Sequence, residues 1–196
     1  PGLTDEQRLK KICDALDWDV KRVLTPEQIR AKEDLSGEYN KYVRVIERGN
    51  GQKSYLRLYE DNYRHPTETE ISAALKRMVI KSPVVAFLTG HGERSIDGIG
   101  ERDYYAFSQY KDFRNSLVNQ GFESISLSLD SVNKVPENID ILVISDVRTA
   151  LSPKEQEIIE NYIAEGRNLL IAGEPRRQEQ MNPLLAPLGL SFMPGI

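Results

Sequence analysis

The chain has 196 residues, 39% of them hydrophobic and 29% charged, with a formal net charge of −4; this composition suits a soluble globular protein of one compact domain or two small lobes. The acidic balance offers no basic footprint, so no nucleic-acid partner is expected. The single cysteine, Cys13, excludes an internal disulfide framework and a cysteine-rich metal site, and no apolar run reaches the ~18 residues of a membrane span.

The chain opens at Pro1 with no signal peptide and stops at Pro194-Gly195-Ile196, which suggests a portion of a longer protein with any membrane anchor outside it. Thr4 with Gln7 forms a capping box, and Leu9, Ile12, Cys13 and Leu16 share one helical face. Thr25-Pro26-Glu27-Gln28 repeats the capping pattern with proline at the first helical position. Val43 and Val45, then Leu56 and Leu58, alternate with polar neighbours on either side of Gly49-Asn50-Gly51. That is a hairpin, with Asn50-Gly51 suited to a type I′ turn. Thr67 with Glu70 opens a helix carrying Ile71, Ala74, Leu75, Met78 and Val79 on one stripe, ended by Ser82-Pro83.

After Pro83 the pattern changes. Val84-Val85-Ala86-Phe87-Leu88 is apolar on both faces, as a strand covered on each side should be. Ser95 to Arg102 reads as a mobile polar loop, and Tyr104, Tyr105, Phe107 and Tyr110 as a mostly buried aromatic group. A helix with the stripe Ala106, Tyr110, Phe113 and Leu117 follows, closed by Gly121. Ile125, Leu127 and Leu129 alternate with serines in a half-exposed strand. Ile141-Leu142-Val143-Ile144 is a third strand, Ser152-Pro153-Lys154-Glu155 caps a helix bearing Ile158, Ile159, Tyr162 and Ile163, and Leu169-Leu170-Ile171-Ala172 is a fourth strand. Strand–helix alternation implies parallel pairing with right-handed crossovers. The expected fold is therefore α/β: a flavodoxin-like or amidotransferase-like parallel sheet over residues 83–196, with the Val84 strand between the Ile125 and Ile141 strands. A smaller α+β lobe with the hairpin, residues 1–82, precedes it.

In such sheets ligands bind beyond the carboxyl ends of the strands, where the winding reverses. That edge gathers Thr89, Gly90, His91, Gly92, Glu93 and Arg94 with Asp146 and Arg148, and Glu174 from the fourth strand. Phosphate binding at Gly90-His91-Gly92 lacks a third glycine, a Walker lysine and an immediate helix start. A metal site would draw on His91, Glu93 and Asp146, but the one other histidine, His65, stands before Pro66 in the other lobe. Nucleophilic catalysis has neither a cysteine in this half nor a Gly-x-Ser-x-Gly elbow. The fourth reading is structural: glycines for tight turns, with His91, Glu93 and Arg148 bonding neighbouring loops, with or without a partner contact at the same edge. No catalytic residue, metal or cofactor is assigned.

The string Phe87-Leu88-Thr89-Gly90-His91-Gly92-Glu93 resembles the signature of GldG-type proteins, the gliding-motility-associated auxiliary components of ABC transporters. Val135-Pro136 before Asp140-Ile141-Leu142-Val143-Ile144, Leu151-Ser152-Pro153 with Glu155, and Tyr162-Ile163-Ala164-Glu165-Gly166 before Leu169-Leu170-Ile171 continue the likeness. It is strong from about Val84 to Glu174 and looser before. Arg167 departs from it, standing where a second glycine is common, and the acidic position after the fourth strand is displaced to Glu174. The resemblance implies a periplasmic, extracytoplasmic domain held at the membrane by helices outside these residues, beside an ABC-2-type permease or other transporter subunits. The family's sheet is also similar to a non-catalytic interaction module of an intraflagellar-transport subunit.

The expected function is thus a non-enzymatic binding or assembly domain whose contact edge is the Thr89–Arg94 loop with Asp146, Arg148 and Glu174. A hydrolase or sugar-binding domain using His91 with a carboxylate, and capture of a small solute between the lobes, are the alternatives.

Overall fold

In a computed structural model that describes residues 2–63 and 65–194, the Thr4–Gln7 capping box is formed and opens α1 (Asp5–Leu16). Pro1, Arg64, Gly195 and Ile196 lie outside the described residues, and with them the chain ends noted above. Cys13 is buried on α1 as its spacing predicts, whereas Ile12 and Leu16 are exposed. The second capping box, Thr25 with Gln28, opens α2 (Pro26–Lys32). These helices belong to a compact unit that ends at Tyr42, and a second unit begins at Val43.

The expected division at Ser82-Pro83 falls inside this second unit, which includes the hairpin. Strands β1 (Val43–Glu47) and β2 (Lys53–Arg57) pair antiparallel with Glu47 opposite Lys53. Their turn differs from the type I′ expectation: within it only Gly51 has a positive φ, 84°. Gly51 N–H donates to Arg48 O at 2.9 Å, Arg48 N–H to Gln52 O at 2.9 Å, and Gln52 N–H to Asn50 Oδ1 at 3.1 Å. The asparagine side chain thus takes a backbone donor, and a three-residue loop with glycine in the left-handed position closes the hairpin.

Helix α3 (Glu68–Arg77) ends before Met78, earlier than the proline implied. Its buried positions are Glu70, Ala73, Ala74 and, just beyond its end, Met78, while Ile71, Leu75 and Val79 are exposed. The stripe turned because small residues, not large ones, make the close contact. A Cβ placed on Gly121 would stand 3.4 Å from that of Ala73. Polar bonds tie the hairpin and α3 to the later chain: Arg57 Nη1 donates to Asn119 Oδ1 at 2.8 Å and Arg77 Nη1 to Val118 O at 2.6 Å.

Beyond Pro83, β3 (Val84–Thr89), β4 (Glu123–Ser128), β5 (Ile141–Ser145) and β6 (Asn168–Ala172) form a four-stranded parallel sheet in the order β4-β3-β5-β6. This is the flavodoxin-like arrangement expected. Alternation along β3 splits the core into two. Val84, Ala86 and Leu88 join Leu142, Ile144, Ile158, Ile159 and Tyr162 on one face, while Val85 and Phe87 join Ile96 and Val143 on the other. The first face is covered by α5 (Pro153–Ala164), opened by the expected Ser152–Glu155 box and followed by Gly166 at φ 71°. A further helix, α6 (Gln178–Leu185), adds buried Met181 and Leu184 to it; Pro183 within it disguises the helical pattern in the sequence.

The long helix expected between β3 and β4 is a single turn, α4 (Tyr105–Ser108), followed by non-helical turns. Ala106, Tyr110 and Phe113 face solvent, and the buried residues are Ser108, Ser116 and Asn119. Polar side chains hold the backbone carbonyls here. Asn119 Nδ2 donates to Lys111 O at 3.0 Å and Phe113 O at 2.7 Å, and Gln120 Nε2 to Arg114 O at 2.9 Å, which offers the chain an alternative to a helical ladder. Arg167, the departure from the family pattern, has a similar task at the opposite edge of the sheet. Its guanidinium donates to Val135 O, Pro136 O and Ile139 O at 3.1, 2.9 and 2.6 Å and lies 4.5 Å from the Tyr162 ring centre.

Candidate functional site

β3 and β5 are neighbours, so their carboxyl ends lie side by side at the point where the winding reverses. Gly90 (φ 121°) and Gly92 (φ 77°) turn the chain on either side of His91. His91 O accepts from Arg148 N–H at 2.9 Å and Thr149 N–H at 3.1 Å, which ties the two tips together. A Cβ on Gly92 would come within 3.1 Å of Arg148 Cβ, so this close approach needs glycine.

Beneath the surface the His91 imidazole sits between two carboxylates. Nδ1 is 3.4 Å from Glu93 Oε1 and Nε2 is 3.3 Å from Glu155 Oε2, with the two carboxylate side chains 1% and 5% exposed. Glu93 Oε2 also accepts from His91 N–H at 2.6 Å, and Glu155 Oε2 from Ser152 N–H and Oγ at 2.8 and 2.6 Å. Each imidazole nitrogen therefore faces a buried acid, leaving none open to a substrate. No helix begins until Tyr105, so Gly90-His91-Gly92 does not sit at a helix N-terminus. Among the described residues no group of three or more His, Cys, Asp or Glu side chains is placed to hold a metal ion, and His91, Glu93 and Asp146 are not assembled as one.

Above this layer lies a second one, of arginines. Asp146, in left-handed backbone at φ 53° and 2% exposed, anchors it. Its Oδ2 takes Arg102 Nη2 at 2.8 Å and Arg148 Nε at 3.6 Å, and its Oδ1 takes Arg177 Nε at 3.4 Å. Glu174 pairs with Arg94 and, at 3.3 Å, with Arg102. The edge residues expected from the sequence thus come together, but at different depths. His91, Glu93 and Asp146 are interior, and the guanidinium of Arg148 is outward, beside those of Arg102 and Arg177.

Those last two were missed. Arg102 lies in a stretch that reads as mobile loop, and Arg177 lies beyond the last strand recognised. The loop is in fact held. Ile96 is buried, Ser95 Oγ accepts from Asp97 and Gly98 N–H at 3.0 and 3.2 Å, and Asp103 Oδ2 accepts from Gly100 N–H at 2.9 Å. Of the aromatic group only Tyr104 packs inward, its ring 6.0 Å from Phe87 and edge-on to it, while Phe107 and Tyr110 are exposed. An open cavity of about 290 Å³, lined by Ile99, Asp103, Tyr105, Ala106 and Tyr110, adjoins this loop.

Glu155 connects the site to acid stability. Burial pushes its carboxyl up, but the Ser152 hydroxyl and N–H and then His91 outweigh that, leaving it below its ordinary value of 4.5. A carboxyl lowered by folding contributes stability that is present above its unfolded value and lost as the pH falls through its folded one. Melting temperatures of wild type and Glu155→Gln are therefore expected to differ most at neutral pH and to converge on acidification below about 4.5. A gap that is constant with pH would show that the carboxylate charge is not what stabilises.

Residues 82–196, more than half of the chain and all of the parallel sheet, match the family model described as ABC-type uncharacterized transport system. No curated protein matches the chain.

Proposed function

Because the chain belongs to the auxiliary family of ABC-type uncharacterized transport systems, we propose that it is a non-catalytic docking domain of the accessory component, working on the extracytoplasmic side of the membrane beside the permease. The family membership supports the transport role. The GldG-like signature from Phe87 to Glu93 supports the gliding-type subclass and the periplasmic location. Among the described residues no helix is long and apolar enough to cross a membrane, so attachment would depend on other segments or on partners.

The observation that carries the docking reading is the depth order of the edge. Its imidazole lies inside between Glu93 and Glu155, its third interior carboxylate, Asp146, is paired with arginines, and those arginines turn outward as guanidiniums, which bind but do not transfer protons at neutral pH. The test is chemical crosslinking and co-purification from native membranes, using the accessory protein with a tag. Recovery of the permease of the same system supports the proposal, and its absence after crosslinking removes it. For location, an exposed Lys154→Cys label site should react with a membrane-impermeant maleimide in intact spheroplasts. Protection until lysis would place the domain on the other side.

A further inference from the structure

Arg102, Arg148 and Arg177 share one buried carboxylate, and each spends only part of its donor set on it. Arg148 and Arg177 approach Asp146 through Nε, at 3.6 and 3.4 Å, so the pairing does not occupy the two terminal nitrogens of either. Arg102 uses Nη2 alone, on Asp146 and Glu174. Among the described residues Arg148 and Arg177 have no other side-chain partner. Their side chains are 53% (Arg102), 44% (Arg148) and 34% (Arg177) exposed, over an anchor that is 2% exposed. The result is three guanidinium forks pre-aimed at solvent by a common pivot.

We infer that this arginine layer is a receptor for carboxylates, and that its occupant is an acidic segment of a protein partner. The inference rests on the docking function proposed above and names its chemistry. Guanidinium forks match the spacing of a carboxylate's two oxygens and bind it with paired hydrogen bonds. Three forks spread around one pivot suit several carboxylates in series better than one small anion. At this exposure a lone phosphate would keep most of its water, whereas a peptide brings its charges together and covers the surface. An anionic membrane surface fits less well. Beneath the arginines lie Glu93, Glu155 and Asp146, and the whole chain carries a net charge of −4. These acids cancel the long-range field, so attraction arises only where donors touch acceptors.

Asp146 is then a positioning residue: it orients the arginines without touching the ligand. Glu174, half-buried and paired with Arg94 and Arg102, occupies a corner of the same layer as a carboxylate already in place. An incoming acid extends an existing pattern of arginine–carboxylate pairs.

The experiment uses the 196-residue chain and a fluorescein-labelled acidic hexapeptide of alternating glutamate pairs and glycine, with its glutamine counterpart as control. Binding is read by fluorescence anisotropy. The acidic peptide is expected to bind and the glutamine peptide not. The double variant Arg148→Gln/Arg177→Gln, at unchanged melting temperature, should bind about tenfold or more weakly, the loss expected for two charge-assisted contacts. Arg176→Gln, a neighbouring exposed arginine outside the Asp146 cluster, should change affinity less than about twofold. Asp146→Asn should weaken binding with the arginines intact, a result a purely ligand-contacting set would not give.

Displacement of the peptide by millimolar inorganic phosphate at least as effectively as by unlabelled peptide would assign the site to a free anion. Tighter binding to phosphatidylglycerol vesicles, lost in the double variant, would assign it to lipid. Equal loss in Arg176→Gln, or no binding to the acidic peptide at all, would overturn the inference. Failure here with successful permease crosslinking leaves the transport role standing on another surface, whereas peptide binding without crosslinking removes the permease and keeps the receptor.

Discussion

Arg114→Ala is expected to destabilise the second unit by about 3–5 kcal/mol, the cost typical of stripping one partner from a buried ion pair. Arg114 Nη1 donates to Glu70 at 2.7 Å, while Nε and Nη2 grip both oxygens of Asp61 at 2.6 and 2.9 Å. Nη2 also reaches Tyr63 O at 2.7 Å, and the guanidinium lies 4.5 Å from the Tyr59 ring centre. It therefore fastens the segment after the hairpin and the first turn of α3 to the turns before β4. Glu70 is only 4% exposed, so without the arginine it is left as a buried charge with the capping N–H of Thr67 as its remaining support. Asp61 stays below the usual carboxylate range chiefly because Arg114 bonds it, and in the variant its pKa should rise. Thermal melting reads the main effect as a fall of very roughly 10 °C for a unit of this size. Arg114→Lys, which keeps charge but not the two-pronged grip, should lose less. If both variants melt like wild type, the arginine holds nothing that matters to the fold.

Replacing His91 with alanine is the second large effect, about 1–3 kcal/mol, since buried Glu155 loses the imidazole nitrogen that faces it at 3.3 Å and buried Glu93 keeps only the backbone N–H of residue 91. Glu93 Oε1 and Glu155 Oε1 already lack hydrogen bonds in the fold, so little is left to compensate. The expected loss in melting temperature would show that His91 and Glu93 frame the edge rather than meet a partner. A stable His91→Ala variant with weakened permease crosslinking would restore the histidine to the contact surface. Measuring both quantities on one variant separates the roles.

Most of the architecture was readable because its signals are local or periodic. The Thr4, Thr25, Thr67 and Ser152 capping boxes all form, and the two-sided apolar run of β3 is buried on both faces of the sheet. Strand order followed from the rules of parallel crossovers, and it placed the His91 turn beside Asp146 and Arg148. What stayed hidden depends on partners distant in sequence. The stripe of α3 turned toward Gly121 because alanines permit a closer approach than leucines. The helix expected after Tyr105 gave way to turns because Asn119 and Gln120 take its carbonyls. Glu155 read fully as the third residue of a capping box, which concealed its contact with His91. Arg102 and Arg177 are ordinary surface arginines in sequence; only the left-handed bend at Asp146 shows what they share.

The order of the four strands also governs how this sheet is made. No two hydrogen-bonded neighbours in it are joined by a tight turn, since β3 meets β4, β3 meets β5 and β5 meets β6 only across intervening chain. Nothing in it can zip from a hairpin, so each pairing must first close a long loop. During synthesis β3 leaves the ribosome early and stays unmatched on one side until β5 arrives, and β5 in turn waits for residues 168–172. A nascent chain halted short of that point presents a naked strand rich in valine and isoleucine, the stage at which a holding chaperone is most needed.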